Sequence, residues 1–115
     1  MKKQLYITNQ DSSYIIKIPN ILFVKSTIEN SEICLENGEI IKTSILLEEI
    51  AQELYEVEYI LKLDTNLIVN LRRIFHIDKE ELTVEFNGIF NEIFCLKTNL
   101  SNINNLVCKM MERKI

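Results

Sequence analysis

Glycine is almost missing from this chain: Gly38 and Gly88 are the only two in 115 residues. That excludes the glycine-rich loops that cradle phosphates in nucleotide-binding folds. Proline occurs once, at Pro19, and tryptophan does not occur. Histidine also occurs once, as His76 inside an expected strand, where an imidazole is more often packed or solvent-facing than a catalytic base. The three cysteines, Cys34, Cys95 and Cys108, are odd in number, form no CxxC and match no standard zinc spacing. They read as reduced, largely buried thiols of a cytoplasmic protein. No apolar run approaches the roughly 18 residues of a membrane span. The opening MKKQLYITNQ lacks the apolar centre of a signal peptide. The carboxylates are scattered, and the pair Glu48-Glu49 falls at an expected helix start, where the helix dipole already favours acids. These absences point away from an enzyme, a metal site, a cofactor or a membrane partner.

What the chain does have is isoleucine, nineteen of them, and β-branched side chains pack well on pleated sheets. Apolar residues make up 47% and charged residues 26%, with a formal charge of −4, so residues 1–115 read as one globular domain with a real core. An acidic balance works against tight nonspecific binding to nucleic acid, though not against a local basic patch. Both glycines follow asparagine, in Asn37-Gly38 and Asn87-Gly88. Asn-Gly between apolar segments signals a hairpin, with both turn residues expected at positive φ.

The apolar pattern predicts strands over 4–8, 14–18, 21–26, 31–35, 39–42, 59–63, 67–69, 74–78, 81–86 and 89–96. The run Ile21 to Val24 suits a buried strand. Thr83 and Glu85 alternate with Val84 and Phe86, which predicts one solvated face there. Leu47, Ile50, Ala51 and Leu54 predict a helix over 45–54, with Thr43 or Ser44 as its cap. Leu100, Ile103, Leu106, Val107 and Met110 predict a second helix over 100–112. Among the thirteen cations, Lys2, Lys3, Lys109, Arg113 and Lys114 lie near the two ends, and Arg72-Arg73 is the sole interior pair. For any one of them solubility is a sufficient explanation. A binding role requires several to converge from separate loops.

The order of segments carries more. Ile18-Pro19-Asn20-Ile21-Leu22-Phe23 leads into a strand. Ser44-Ile45-Leu46-Leu47-Glu48-Glu49 opens a short helix. Lys62-Leu63-Asp64-Thr65-Asn66-Leu67-Ile68-Val69-Asn70 is followed by Ile74, and then a strand, Asn-Gly and another strand. Over about residues 14–106 this succession resembles the LytTR DNA-binding domain, the output domain of many bacterial response regulators of the LytR/AgrA type. The resemblance implies a mainly β (α+β) fold: an elongated arrangement of small antiparallel β-sheets with one central helix and a C-terminal helix.

It also implies a function. Family members insert loops, and no recognition helix, into the DNA major groove. The corresponding positions here are the turn near Glu29, Asn30 and Ser31, the loop Asp64-Thr65-Asn66, and Lys97-Thr98-Asn99 after the last strand. Asp64 and Thr65 stand where the family has histidine and arginine, and Thr98 where it has arginine. The implied role is a bacterial, cytoplasmic, stand-alone transcription regulator on AT-rich duplex DNA, since no receiver-like segment is present. Asn30, Ser31, Thr65, Asn66, Thr98 and Asn99 would read bases, while Lys25, Lys62, Arg72, Arg73 and Lys97 would contact phosphate. The rival reading is an interaction module on the same fold with eroded DNA contacts. A homodimer and a partner regulator both stay open as associations.

Overall fold

In the computed structural model the described residues are 2–28, 30–78, 80–81, 83–86, 93–94, 103 and 105. Strands β1 (Gln4–Thr8) and β2 (Ser13–Lys17) form a two-stranded antiparallel sheet. β3 (Ile21–Thr27), β4 (Asn30–Leu35), β5 (Ile40–Thr43), β6 (Ile60–Asp64) and β7 (Leu67–Asn70) form a five-stranded sheet in the order β5-β4-β3-β7-β6. β8 (Ile74–Asp78), β9 (Thr83–Phe86) and β10 (Ile93–Phe94) form a third sheet with β9 in the middle. Every recorded pairing is antiparallel. Helix α1 (Leu47–Glu53) connects β5 to β6.

The five-stranded sheet is buried on both faces, which is why β3 reads as a continuous apolar run. One core joins Ile21, Val24, Ile33 and Ile68 of this sheet to Leu5, Ile7 and Ile16 of the small sheet and to Leu47, Ile50 and Leu54 of the helix region. The other joins Leu22, Phe23, Cys34 and Val69 to Val84 and Phe86 of the third sheet and to Ile103. A bulge makes this possible: β3 pairs Ile21 with Leu35 and Phe23 with Cys34, leaving Leu22 as the extra residue. Leu22 and Phe23 thus reach one core while Ile21 and Val24 reach the other. Phe23 also packs on Phe86 with ring centroids 5.2 Å apart, joining two sheets. Cys34 is buried and free, and that burial pushes its thiol up to about 11.

The fold corrects the expectation of two helices. α1 is the one α-helix whose span is described, within otherwise antiparallel sheets. Of the second expected helix, 100–112, only Ile103 and Asn105 are described; Ile103 is fully buried in the second core. Both of these residues are helical, and no helix spanning 100–112 is described. The capping expectation fails as well. α1 begins after Leu46, which makes no side-chain cap. Thr43 remains in β5 opposite Ser31, and the Ser31 hydroxyl donates to the Ile45 carbonyl at 2.8 Å. The chain is therefore held out of the helix until Leu46. Thr83 is buried rather than solvated, because it lies between Asp78 of β8 and Phe94 of β10.

At Asn37-Gly38 only the glycine has positive φ, 93°. The Gly38 N–H donates to the Leu35 carbonyl at 3.0 Å, and the Leu35 N–H donates to the Glu39 carbonyl at 2.9 Å. This is a three-residue hairpin loop with glycine at its left-handed position, not a two-residue turn. Gly38→Val should destabilise by about 1–2 kcal/mol, read as a lower urea midpoint at unchanged slope. A neutral outcome would contradict the turn. The Asn87-Gly88 turn, Cys95 and Cys108 lie outside the described residues.

Candidate nucleic-acid interface

Sheet register brings two of the implied loops together. β3 pairs antiparallel with β7, with Lys25 opposite Leu67. The β3–β4 turn after Thr27 and the β6–β7 turn at Thr65-Asn66 therefore emerge at the same end of the five-stranded sheet. Two hydrogen bonds lock them: the Ser26 N–H donates to the Asn66 carbonyl at 3.0 Å, and the Ser26 hydroxyl to Asn66 Oδ1 at 2.7 Å. The Asn66 amide nitrogen has no recorded partner among the described residues, and Thr65 and Asn66 are both exposed. Asp64 shapes this turn rather than merely charging it, since its Oδ1 accepts the Asn66 N–H at 2.7 Å. A bulge at Leu63, between the pairs Lys62–Ile68 and Asp64–Leu67, sets the approach to the turn.

In the first loop Asn30 is half-buried with φ of 138°, and its N–H donates to the Thr27 hydroxyl at 3.2 Å. Asparagine is among the residues that accept positive φ most readily. Ser31 is 1% exposed and occupied by the bond to Ile45, so it positions the turn and presents no surface group. Ile28, at the tip, is fully exposed. The β1–β2 turn joins the same end: Asn9 Nδ2 donates to the Lys42 carbonyl at 3.0 Å. Together with Thr27, Asn30 and Ser44 it borders an open groove of about 1050 Å³. In the sequence, residues 9–13 are only the polar interval between the expected strands 4–8 and 14–18. Its Asn-Gln-Asp-Ser composition was the available signal, but only the sheet packing places it beside Asn30.

The cations divide. Lys25 and Lys62 lie near the loop end, and each already faces an acid: Lys25 pairs with Glu32 at 3.6 Å across the β3–β4 ladder, and Lys62 pairs with Glu48 of α1. Arg72 and Arg73 do not converge with the loops, because the four residues of β7, about 13 Å of strand, intervene. Arg72 stacks over the Tyr59 ring, 4.3 Å from its centroid. Arg73 binds Glu36 at 2.8 Å and donates from Nε to the Pro19 carbonyl at 2.8 Å. Both fasten the exit of β7 to neighbouring structure. Glu29, Lys97, Thr98 and Asn99 lie outside the described residues. His76 is exposed on β8, with Nδ1 3.5 Å from Glu85 across the ladder. Among the described residues no three metal-ligating side chains cluster, and no helix is long and apolar enough to cross a membrane.

No family model and no curated protein matches the chain at the level of sequence. A solved structure does match: a LytTr DNA-binding domain from a methyl-accepting/DNA response regulator of Bacillus cereus. The TM-score is 0.70 at 14% identity, over 93% of this chain and 98% of that one. The resemblance read from the order of segments thus holds for three-dimensional structure, and the chain has the fold of the LytTr DNA-binding domain.

Proposed function

We propose that this domain binds double-stranded DNA and serves transcription regulation, reading base edges from the adjoining β3–β4 and β6–β7 turns. The observation that carries the reading is the Ser26–Asn66 lock, which presents the two turns as one edge. Asn30, Thr65 and Asn66 supply the polar groups, and an asparagine amide pairs bidentately with adenine, which favours AT-rich sites. Lys25, Lys62 and Lys97 supply phosphate contacts, and Thr98 and Asn99 a third reading loop. Fold similarity is analogy for this step, and the turn geometry is the physical support. A specific observation favours a second reading, an interaction module with weak DNA affinity: Lys25 and Lys62 are both engaged by carboxylates.

Fluorescence anisotropy against random and AT-rich duplexes at two salt concentrations separates the readings. With Lys25, Lys62 and Lys97 as the phosphate contacts of this reading, the log–log salt slope should be no steeper than about −3. Asn66→Ala should weaken binding to the preferred site more than to random duplex, because phosphate contacts are blind to sequence. Absence of binding at low salt would favour the interaction module.

A further inference from the structure

A second surface, the outer edge of β1, has the features of a strand-docking site. β1 pairs only with β2 among the described residues. The Ile18 N–H donates to the Lys3 carbonyl at 3.1 Å, and the Asn9 N–H to the Ser12 carbonyl at 2.8 Å. Antiparallel ladders alternate hydrogen-bonded with non-bonded pairs. Lys3, Leu5, Ile7 and Asn9 therefore face β2 with their backbone groups. The N–H and C=O groups of Gln4, Tyr6 and Thr8 point the other way, and Tyr6 borders a groove of about 460 Å³ between β1 and α1. Leu5, Ile7 and Ile50 close the bottom of this groove but are 1–2% exposed, so the surface open to a partner is its rim and Tyr6, which stands 64% exposed at its edge.

The charge on the rim decides the occupant. Glu49 and Glu53 line the groove from α1, and Glu49 has no recorded cation partner among the described residues. Lys2 shows what the rim accepts: its ammonium lies against the Glu53 carboxylate and donates to the Glu53 carbonyl at 3.3 Å. We propose that β1 and α1 dock an extended segment of a partner protein, lysine- or arginine-bearing with apolar residues at alternate positions, which adds as a third strand beside β1. Backbone bonds to Gln4, Tyr6 and Thr8 supply generic affinity; on the α1 side the acidic rim selects the cations, and on the opposite face Tyr6 meets the alternate apolar residues. This surface is independent of the DNA reading, and either stands if the other fails.

The test uses a short fluorescent peptide of alternating lysine and valine, beside a glutamate–valine counterpart, with the full chain. The lysine peptide should bind, the glutamate peptide should not, and hydrogen exchange at the Gln4, Tyr6 and Thr8 amides should slow only with peptide bound. Glu49→Lys, on an exposed helix position, should weaken binding by about tenfold or more. Tyr6→Pro should abolish it, since proline removes the outward N–H while leaving the β1–β2 bonds intact. Equal affinity for both peptides overturns the proposal. So does protection of those amides without peptide: in a dimer seen by sedimentation it assigns the edge to a second copy, and in a monomer to this chain itself.

Discussion

Replacing Glu32 and Glu48 together by glutamine should tighten DNA binding on the order of a hundredfold at low salt. Lys25 and Lys62 lie near the edge formed by the two reading turns, yet Glu32 and Glu48 neutralise both. Exposed pairs of this kind are themselves worth about 0–1 kcal/mol, so releasing them costs the fold little. For DNA the gain is double. Each lysine becomes free to displace a counterion, and a carboxylate that would repel phosphate is gone. About tenfold per site follows, and the salt slope should steepen by nearly two. Near-physiological and higher salt should erase most of the gain. The measurement is the anisotropy titration already described, with circular dichroism confirming that the fold persists. An unchanged affinity and slope would show that these lysines never meet phosphate. Asp64→Asn belongs beside this pair, because it removes a charge and keeps the oxygen that accepts the Asn66 N–H. Asp64→His removes the same charge but also the turn-forming oxygen.

Asn70→Asp should destabilise the protein by about 2–4 kcal/mol, the largest loss expected from a single polar change. Asn70 is 1% exposed at the end of β7. Its Nδ2 donates to the Ile21 carbonyl at 2.8 Å and to the Pro19 carbonyl at 3.4 Å, and its Oδ1 accepts the Arg72 N–H at 2.9 Å. One amide thus ties two chain reversals together, the 3-10 turn Ile18–Asn20 before β3 and the 3-10 turn Leu71–Arg73 after β7. Aspartate keeps the acceptor for Arg72 but aims an oxygen at two carbonyls in a buried site, leaving them without a donor. Asn70→Ala loses all three bonds and should cost a similar amount. Urea unfolding should show the loss as a lower midpoint with unchanged slope. A loss below about 0.5 kcal/mol would mean that water replaces the amide.

The sheet elements were legible because period-two and continuous apolar patterns report burial directly. Eight of the nine fully described strands fall within about a residue of the expected spans, and β9, Thr83–Phe86, begins two residues late. Helix limits were less legible. Thr43 and Ser44 have the chemistry of caps, but the ladder partner Ser31 holds Thr43 in β5. The resemblance implied phosphate contacts for Arg72 and Arg73, and the packing that sets them against Tyr59, Glu36 and Pro19 was not legible in the sequence. Ser31 has the right chemistry at the right turn, and a burial that sequence does not reveal. The convergence of the two turns was not legible at all. It depends on the register Lys25–Leu67, which relates residues far apart in the chain.

The bulge at Leu22 has a consequence for divergence. Four successive residues, Ile21 to Val24, serve two cores at once, so β3 offers no side on which substitutions can accumulate freely. Asn30, Thr65 and Asn66 at the turns lie outside both cores, so polar residues there can be exchanged without disturbing either. Drift then concentrates in the segments that would carry partner choice, while the scaffold varies only within apolar chemistry. A chain built this way can share its shape with a chain of very different sequence, as the 14% identity at a TM-score of 0.70 records.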